Sequence, residues 1–356
     1  MNLLIISPRQ TNDGKSAPQG GIGTWTEIFL RSYDKVKHYI DFVDISPIGR
    51  RKIQVNSKRS ALDEIIRTTH IFTTLNMKLK RQQFDVAHIN SACGSFGIIR
   101  DYLCARKINR SKVKVVSHFH CDVEFQLAHN QLAKKYFHKL IKVSDEIIVL
   151  NENSQKYILD QCGRSSIKVA NFVETSILIK DKHILRGAIS KILFVGYVQR
   201  EKGCLEIYGL AKRCPEIVFE LAGLVHSDVV AWPKPENVLL LGAVQKEEVF
   251  KRMDDADIFI FPSYSEGFSI ALVEAMARGL PAIVTPVGAN IDMIEDQGGI
   301  LVNVGDIDGM ENAIFKMQNP EIRFKMSKWN IEKVKNNYTA DQVIKHLFSI
   351  YEGIKR

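Results

Sequence analysis

The feature that most constrains the fold is an alternation of short apolar runs with helical patterns, which occurs in two series. The first series has apolar runs at 3–7, 42–46, 85–90, 113–120, 146–151 and 167–170. The second has them at 191–196, 218–223, 238–242, 258–263, 281–286 and 300–304. Strands that alternate with helices predict parallel sheets with helices on both faces. The sequence therefore predicts an α/β protein of two facing, Rossmann-like, doubly wound domains with a deep cleft between them.

The length of the chain agrees with two domains, because 356 residues exceed what one hydrophobic core usually organises. We place an acceptor-side domain at 1–172 and a donor-binding domain at 173–339. The segment 340–356 has apolar residues on one helical face and can pack back on the first domain. No apolar stretch approaches the roughly 20 residues that span a bilayer, and the first residues do not resemble a signal peptide. We expect a cytoplasmic protein whose six cysteines are reduced.

The net charge of +9 is unevenly distributed along the chain. Residues 1–170 hold 27 Lys and Arg against 15 Asp and Glu, whereas residues 171–356 hold 22 against 25. A basic surface can face nucleic acid, anionic lipid or a polyanionic substrate, or its charges can simply be solvated. The preferred basic cluster is Arg50, Arg51, Lys52, Lys58 and Arg59. An anionic membrane surface is therefore a candidate partner of the first half.

The strongest local signal is FPSYSEGFSIALVEAMARGLPAIVTPVG at 261–288, a strand, a loop, a helix and another strand. Glu266 and Glu274 are eight residues apart, and Gly267, Phe268, Ser269 and Ile270 stand where the helix begins. A helix start presents free N–H groups and partial positive charge, which suit a pyrophosphate. Two carboxylates at these positions can accept hydrogen bonds from sugar hydroxyls. From spacing alone, Glu266 could equally lie beside a helix cap and Glu274 on the surface.

The whole segment resembles the E-x7-E signature of the family 4 retaining glycosyltransferases. Other segments resemble that family in order and spacing. They are FVGYVQREKG at 194–203 (phosphate-binding loop), VFELAG at 218–223 and LLLGAVQKEEV at 239–249 (nucleoside-binding stretches) and ANFVET at 170–175 (interdomain segment). The resemblance covers essentially the whole chain. It implies the GT-B architecture and a nucleotide-diphosphate sugar donor.

The resemblance also implies roles for individual residues of the second domain. Gly196 and Lys202 lie in the phosphate-binding stretch, where Gly196 would contact the donor and Lys202 would stabilise the charge that grows on the departing diphosphate. Glu274 would bind the ribose hydroxyls and Glu266 the donor sugar. The residues whose backbone amides would lie near the sugar and phosphates are Gly267, Phe268, Ser269 and Ile270.

Two further positions concern the ends of the donor. Val244 would meet the base through its backbone. The sequence departs from the family at Tyr197, where a second phosphate-binding arginine is common, and Arg200 is near enough in sequence to replace it. This departure leaves the detailed phosphate contacts open.

A glycine pair, Gly21 and Gly23, opens a helix after the first strand and a long polar loop. A Gly-x-Gly pair invites a nicotinamide dinucleotide interpretation. However, Thr26 stands where the third glycine would be, and the loop is too long for the tight turn of that motif. In the family this loop lies over the donor diphosphate and the acceptor, where glycine lets the backbone approach a ligand. Gly21 and Gly23 are therefore predicted to line the active site.

Two histidines end the strand at 113–120. A histidine at such a position is commonly structural. The resemblance implies that His120 is the family's functional histidine, which would hydrogen-bond the transferring sugar. His118 lies farther from the carboxyl edge of the sheet, where ligands bind, and we interpret it as structural.

Two Asp-x-Asp pairs could suggest a metal site. Asp255 and Asp257 immediately precede a strand, whereas Asp306 and Asp308 stand in a loop that can cap a helix. Neither pair is near the phosphate loop in sequence, and the helix start with Lys202 already supplies positive charge. We therefore predict no cofactor and no obligatory metal.

The function implied by the resemblance is retaining hexosyl transfer from a nucleotide-diphosphate sugar to a hydroxyl of a glycan or lipid-linked acceptor. The setting would be bacterial lipopolysaccharide or capsule biosynthesis, at the inner face of the plasma membrane. The matched motifs offer no carboxylate nucleophile, which favours same-face substitution. A nucleotide-sugar epimerase is the alternative, but it needs an acid and a base on the donor side. A nucleic-acid-binding protein is disfavoured, because the basic clusters lack interleaved aromatic residues.

Overall fold

The computed structural model describes residues 1–9, 21–46, 61–179 and 187–355. The chain divides into two compact units, which we call unit 1 (Met1–Asn171 with Ala340–Arg356) and unit 2 (Phe172–Thr339). The basic cluster at Arg50, Arg51, Lys52, Lys58 and Arg59 lies outside the described residues.

Unit 1 is built on six parallel strands. They are β1 (Asn2–Ser7), β2 (Tyr39–Asp44), β3 (Val86–Ser91), β4 (Lys114–Phe119), β5 (Glu146–Val149) and β6 (Ile167–Lys168). Their order in the sheet is β2-β1-β3-β4-β5-β6. Strands β1, β3 and β4 are almost entirely buried, as expected for a parallel sheet that is covered on both faces. Strand β3 is unusual because three of its six buried residues, His88, Asn90 and Ser91, are polar.

Within the described residues of unit 1, six helices connect these strands. They are α1 (Gly21–Ser32), α2 (Ala61–Arg81), α3 (Ser95–Arg110), α4 (Val123–Leu127), α5 (Gln131–Val143) and α6 (Glu152–Cys162). Their apolar faces bury a core against the sheet, where the rings of Phe119 from β4 and Phe137 from α5 are 5.1 Å apart. Helix α2 has acidic residues in its first turn and basic residues in its last. These charges interact favourably with the helix dipole and stabilise the helix.

Unit 2 repeats this architecture. Its strands are β7 (Lys191–Val195), β8 (Val218–Ala222), β9 (Val238–Gly242), β10 (Ile258–Phe261), β11 (Ala282–Val284) and β12 (Gly299–Leu301). They are parallel, in the order β12-β11-β10-β7-β8-β9. The helices of unit 2 are α7 (Cys204–Arg213), α8 (Ser227–Val230), α9 (Lys246–Asp255), α10 (Ile270–Ala277), α11 (Asn290–Ile294), α12 (Ile307–Met317) and α13 (Pro320–Asn337).

The chain returns to unit 1 in helix α14 (Ala340–Lys355). This helix packs on α1, where the ring of Phe348 stacks on Phe29 with centroids 6.1 Å apart. Phe348 also stacks on His38 at 3.9 Å. No helix within the described parts of the chain is both long and apolar enough to cross a membrane.

The strand orders locate the positions at which ligands usually bind. In unit 2 the chain reverses its direction of winding between β7 and β10, and in unit 1 between β1 and β3. In open parallel sheets, ligands bind outside the carboxyl ends of the strands at such a switch point. The predicted α/β class with two doubly wound units is confirmed, and the switch point of unit 2 lies at the loops after β7 and β10.

Candidate active site

The loops that follow β7 and β10 are joined to each other at the carboxyl edge of the unit 2 sheet. The backbone N–H of Tyr264 donates to the carbonyl of Glu201 at 2.9 Å. Gly203 adopts a positive φ of 73°, and a Cβ at this position would overlap the carbonyl group of Pro262. Glycine is therefore required both for the backbone conformation and for the close contact between the two loops.

This close contact predicts a large effect of Gly203→Ala. We expect a loss of about 2 to 4 kcal/mol in the free energy of unfolding, because the new methyl group would add steric overlap to a strained φ. The matched control is Gly163→Ala, at the end of α6, where φ is 61° but the added Cβ would meet open space. Urea denaturation should show a loss nearer 1 kcal/mol for the control. Equal losses would contradict the packing argument.

The joined loops bring Lys202 and Glu266 into an ion pair. The Nζ of Lys202 contacts Oε1 of Glu266, and these side chains are only 21% and 10% exposed. The ammonium also lies over the ring of Phe261, 5.7 Å from its centroid. A cation and a carboxylate thus meet at the switch-point edge, where an anionic, hydroxyl-bearing ligand could contact both.

The loop of Glu266 is supported from its other side by the turn that precedes α11. Gly288 has a φ of 55°, and a Cβ there would overlap the carbonyl of Glu266. The N–H of Ala289 donates to the carbonyl of Gly267 at 3.2 Å. The backbone around Glu266 is therefore fixed by contacts with two neighbouring loops, which favours a defined position for its carboxylate.

Helix α10 begins directly after this loop. Ser269 is its N-cap, and its hydroxyl accepts the N–H of Leu272 at 3.2 Å. The ring of Phe268 is buried and packs on Tyr338 with centroids 5.6 Å apart. These two side chains hold the turn together, so any ligand contact of Gly267, Phe268, Ser269 and Ile270 would come from their backbone amides.

Glu274 lies inside α10 and is only 9% exposed. Burial raises the pKa of its carboxyl group, while Lys246, whose Nζ is 3.2 Å from Oε1, lowers it. Sequence reasoning missed Lys246 as a partner of this carboxylate. The available signal was its position two residues after Val244, in a stretch already assigned to nucleoside binding. The ion pair connects the segment of Val244 to α10.

Arg200 and Gly196 belong to the loop after β7, but the structure gives them other contacts. The guanidinium of Arg200 lies over the ring of Trp232, 5.4 Å from its centroid, and its backbone N–H donates to Asp228. Gly196 has a φ of 154°, and its carbonyl lies so close to Gly223 that a Cβ on Gly223 would overlap it. The structure does not bring the Arg200 guanidinium to the Lys202–Glu266 pair.

The Asp-x-Asp pairs have structural contacts in the described residues. Asp257 is buried and accepts hydrogen bonds from the backbone of Ser190 and Lys191 at 2.8 and 3.0 Å. Asp306 caps α12 by accepting the N–H of Gly309 at 2.7 Å. Within the described ranges, no group of three or more His, Cys, Asp or Glu side chains could hold a metal ion.

Unit 1 has a cavity of about 540 Å³ at its own switch point. Ile22 from α1, Phe96 and Arg100 from α3, and the Glu64–Arg67 ion pair from α2 line it. Gly21 and Gly23 form the first turn of α1, next to Ile22, with Gly21 exposed and Gly23 buried. The cavity combines ion pairs, apolar surface and a half-exposed phenylalanine ring, a mixture that suits an amphiphilic or carbohydrate ligand.

His120 follows β4 and is partly exposed, whereas His118 is fully buried. The Nε2 of His120 is 2.8 Å from Oδ1 of Asn90. Burial lowers the pKa of His120 to about 3, so this imidazole is neutral near pH 7. A neutral ring can accept or donate a hydrogen bond, but it lacks the second ring proton that an imidazolium can transfer as a general acid.

Residues 189–319 match the model of the family described as Glycosyl transferases group 1. Unit 2 therefore contains a glycosyltransferase group 1 domain. Lys202, Val244, Lys246, Glu266 and Glu274 all lie within the matched residues.

Curated relatives of the chain extend beyond this domain. The chain is 25% identical over 305 residues to the "Uncharacterized 41.2 kDa protein in cps region" of Klebsiella pneumoniae. This match covers 80% of this chain and 83% of that protein. It is 27% identical over 117 residues to the "UDP-Gal:alpha-D-GlcNAc-diphosphoundecaprenol alpha-1,3-galactosyltransferase" of Escherichia coli. That match covers 33% of this chain and 30% of the relative. Other relatives are named as enzymes of capsular polysaccharide or lipopolysaccharide core biosynthesis.

The fold is similar to solved glycosyltransferase structures with the GT-B architecture. HepE of Anabaena in complex with UDP and glucose superposes with a TM-score of 0.75 at 14% identity, covering 99% of this chain and 100% of that one. The similarity extends over both units, so the group 1 domain is one half of a GT-B fold.

Proposed function

We propose that the protein is a retaining glycosyltransferase that moves a hexose from a nucleotide-diphosphate sugar to a hydroxyl of a glycan or lipid-linked acceptor. The observation that carries this proposal is the Lys202–Glu266 pair at the switch point of the group 1 domain, with the buried Glu274 in the same segment. A cation that faces a departing diphosphate stabilises negative charge that grows in the transition state. Carboxylates accept hydrogen bonds from sugar and ribose hydroxyls.

In the proposed ground state, the diphosphate takes over part of the interaction that Lys202 makes with Glu266. Glu266 then becomes available to a hydroxyl of the donor sugar. Glu274 binds the ribose, and its ion pair with Lys246 opposes the rise in pKa that burial causes at this carboxyl group. No cofactor and no obligatory metal is needed in this scheme, because Lys202 and the start of α10 supply the positive charge.

The retaining outcome is supported by two considerations. UDP-galactose is an α-glycoside, and the Escherichia coli relative is named for forming an α-1,3 linkage, so that relative keeps the configuration of its donor. In this scheme Glu274 is paired with Lys246 and binds the ribose, and Glu266 binds a hydroxyl of the donor sugar, so neither carboxylate of the segment is assigned as a nucleophile. We therefore propose same-face substitution, in which the leaving phosphate accepts the proton of the acceptor hydroxyl.

The test is incubation with a panel of UDP- and GDP-sugars, with and without a lipid-linked or glycan acceptor, monitored by NMR of the anomeric proton. Acceptor-dependent release of the nucleotide with an α-linked product from an α-linked donor is expected, and it should continue in EDTA. A β-linked product would contradict retention. Isomerisation of the donor without an acceptor would instead identify an epimerase.

Glu274→Gln is predicted to weaken donor binding with little effect on folding, because glutamine keeps the size of the side chain but loses the charge. The loss of a charged hydrogen-bond acceptor should raise Kd for the donor by about ten- to a hundredfold. Isothermal titration calorimetry measures the change, and Glu332→Gln, exposed on α13, is the matched control. Unchanged affinity in Glu274→Gln would remove Glu274 from the ribose site.

We further propose that unit 1 docks on an anionic membrane surface on the cytoplasmic side and takes a lipid-carried acceptor into its cavity. The net charge of the first half supports this. Helix α2 adds a second argument, because Leu62, Ile65 and Ile66 are 65%, 62% and 55% exposed. Glu64 and Arg67 of the same helix line the cavity. Exposed apolar side chains are typical of surfaces that bind membranes, and the basic residues of α2 lie in its last turn.

Vesicle sedimentation tests the membrane proposal. The protein should bind phosphatidylglycerol vesicles at low salt and dissociate near 1 M salt, where the Debye length falls to about 3 Å. Ile65→Ser with Ile66→Ser should weaken this binding, while Leu159→Ser, an exposed position on α6, serves as control. Equal binding to neutral and anionic vesicles, or to neither, would contradict membrane docking but not glycosyl transfer.

A further inference from the structure

A series of buried hydrogen bonds connects α1, β1 and β3 in unit 1. The donor or acceptor character of each atom fixes the direction in which the series runs. The hydroxyl of Thr26 donates to the carbonyl of Ile22 at 2.9 Å, because a carbonyl oxygen only accepts. Oγ1 of Thr26 therefore accepts from Oγ of Ser7, which is 2.6 Å away. Having used its proton, Ser7 accepts from Nδ2 of Asn90 at 2.9 Å. The amide of Asn90 is thus oriented with its nitrogen toward Ser7.

The amide oxygen of Asn90 consequently faces two imidazoles. It lies 2.8 Å from Nε2 of His88 and 2.8 Å from Nε2 of His120. Since this oxygen only accepts, both Nε2 atoms must carry the hydrogen. Nδ1 of His88 is then an acceptor, and the hydroxyl of Tyr351 in α14 occupies it at 2.8 Å.

Burial keeps both rings neutral. It lowers the pKa of His88 to about 4 and that of His120 to about 3. The indole of Trp25 stacks on His88 at 5.3 Å and lies edge-on to His120 at 5.6 Å, which limits access of water to the pair. The tautomers are therefore set by hydrogen-bond partners rather than by solvent.

The series of hydrogen bonds ends at the second nitrogen of the His120 ring. Nδ1 of His120 is buried and has no hydrogen-bond partner among the described residues. The side chain of Asn171 is a hydrogen-bonding neighbour of the His120 ring and raises its pKa, and its Oδ1 is likewise buried without another partner among the described residues. With the hydrogen on Nε2, Nδ1 and this Oδ1 are both acceptors, so Nδ1 needs a donor that a rotated Asn171 amide or a ligand hydroxyl can supply.

We propose that Asn90, His88 and Tyr351 are positioning residues that hold His120 as its Nε2–H tautomer, so that Nδ1 accepts a hydrogen bond from a hydroxyl of the bound sugar substrate. The substrate contact rests on the proposed function, whereas the tautomer does not depend on it.

Tyr351 decides between two arrangements of this network. If the amide of Asn90 rotated by 180°, its nitrogen would face both imidazoles, and both would carry hydrogen on Nδ1. The hydroxyl of Tyr351 would then meet an N–H of His88 and lose its acceptor, and Ser7 would have to donate to Asn90 instead of Thr26. The hydroxyl on α14 therefore stabilises the arrangement in which Nδ1 of His120 is an acceptor.

The tautomer can be measured directly in the full-length protein labelled with ¹⁵N-histidine. Long-range ¹H–¹⁵N correlation near neutral pH distinguishes Nε2–H, Nδ1–H and imidazolium forms, and His120→Gln identifies the signals of His120. We expect His88 and His120 to be Nε2–H tautomers. An Nδ1–H form or an imidazolium at His120 would overturn the proposal.

Tyr351→Phe tests the positioning role, with Tyr102→Phe, a half-buried tyrosine of α3, as matched control. In Tyr351→Phe, the Nδ1–H form should appear at His88 and His120, and kcat should fall on the order of tenfold while KM for the donor changes little. The control should leave the tautomers and kcat unchanged. An unaltered tautomer of His120 in folded Tyr351→Phe would refute the role of Tyr351.

Substitutions of Asn90 provide an independent variant if Tyr351→Phe does not fold. Asn90→Asp presents only acceptor oxygens, so both Nε2 atoms should keep their hydrogen, in the neutral ring or in the imidazolium that the new charge favours, whereas Asn90→Leu should lose the preference for Nε2–H. A neutral Nδ1–H form of His120 in Asn90→Asp would contradict the proposal. Absence of transfer with every donor would contradict the proposed function. The tautomer measurement at His120 would still test the positioning roles of Asn90, His88 and Tyr351.

Discussion

Replacing Lys202 by alanine is expected to lower kcat for glycosyl transfer on the order of a hundredfold, with a smaller change in donor affinity. The reason is that the charge on the β-phosphate increases as the glycosidic bond breaks, so the ammonium stabilises the transition state more than the ground state. Lys202 is partly buried and paired with Glu266, which limits the screening of its charge by water. Steady-state kinetics with the preferred donor gives kcat and KM separately.

Two variants separate charge from packing at this position. Lys202→Arg keeps the positive charge and should retain a substantial part of kcat. Lys251→Ala removes an exposed lysine from α9 of the same unit and should leave kcat unchanged. Near-normal turnover in Lys202→Ala would show that another group meets the departing phosphate, and Arg200 would then become the candidate.

The second large effect concerns stability in acid. Burial lowers the pKa of His88 to about 4, that of His120 to about 3 and that of His118 well below its usual value. In the unfolded chain these histidines bind protons near pH 6.5. Proton uptake therefore stabilises the unfolded chain increasingly as the pH falls below that value. Stability is therefore full above about pH 6.5. It should fall as the pH decreases from about 6.5 toward 4, because the unfolded chain takes up a proton at each histidine that stays neutral in the fold.

His118 permits a clean test of this prediction, because both of its ring nitrogens are buried without hydrogen-bond partners among the described residues. His118→Phe should make the acid limb shallower by about one proton and leave the stability at pH 8 equal or higher. Urea denaturation from pH 4 to pH 8 measures the slope, and His129→Gln, at an exposed site, is the control. An unchanged slope in His118→Phe would mean that His118 does not titrate on unfolding.

Much of the fold was predictable because the central strands are buried on both faces and therefore appear as continuous apolar runs. The run at 191–196 became β7, and the run at 258–263 became β10. Since successive parallel strands need helices between them, the class followed from this pattern. The pattern puts the loops that carry Lys202 and Glu266 at the same edge of the sheet, because both follow parallel strands, but it does not show that β7 and β10 are neighbours.

The partners of the candidate residues could not be predicted from the sequence. Lys246 reaches Glu274 across 28 positions only because α9 and α10 lie near each other in the folded unit. Asn90 reaches His120 because the register of β3 against β4 pairs Asn90 with His118 and puts the end of β4 beside it. Tyr351 comes from another part of the chain altogether. Such contacts depend on register and packing, which local patterns do not specify.

The return of α14 to unit 1 has a consequence for the growing chain on the ribosome. Unit 2 is encoded without interruption, whereas unit 1 needs residues 340–355, which are synthesised after all of unit 2. Until then, Phe29 and His38 lack the stacking ring of Phe348. The domain that is translated first is thus completed last, and during that interval its uncovered aromatic surface is a natural binding site for chaperones.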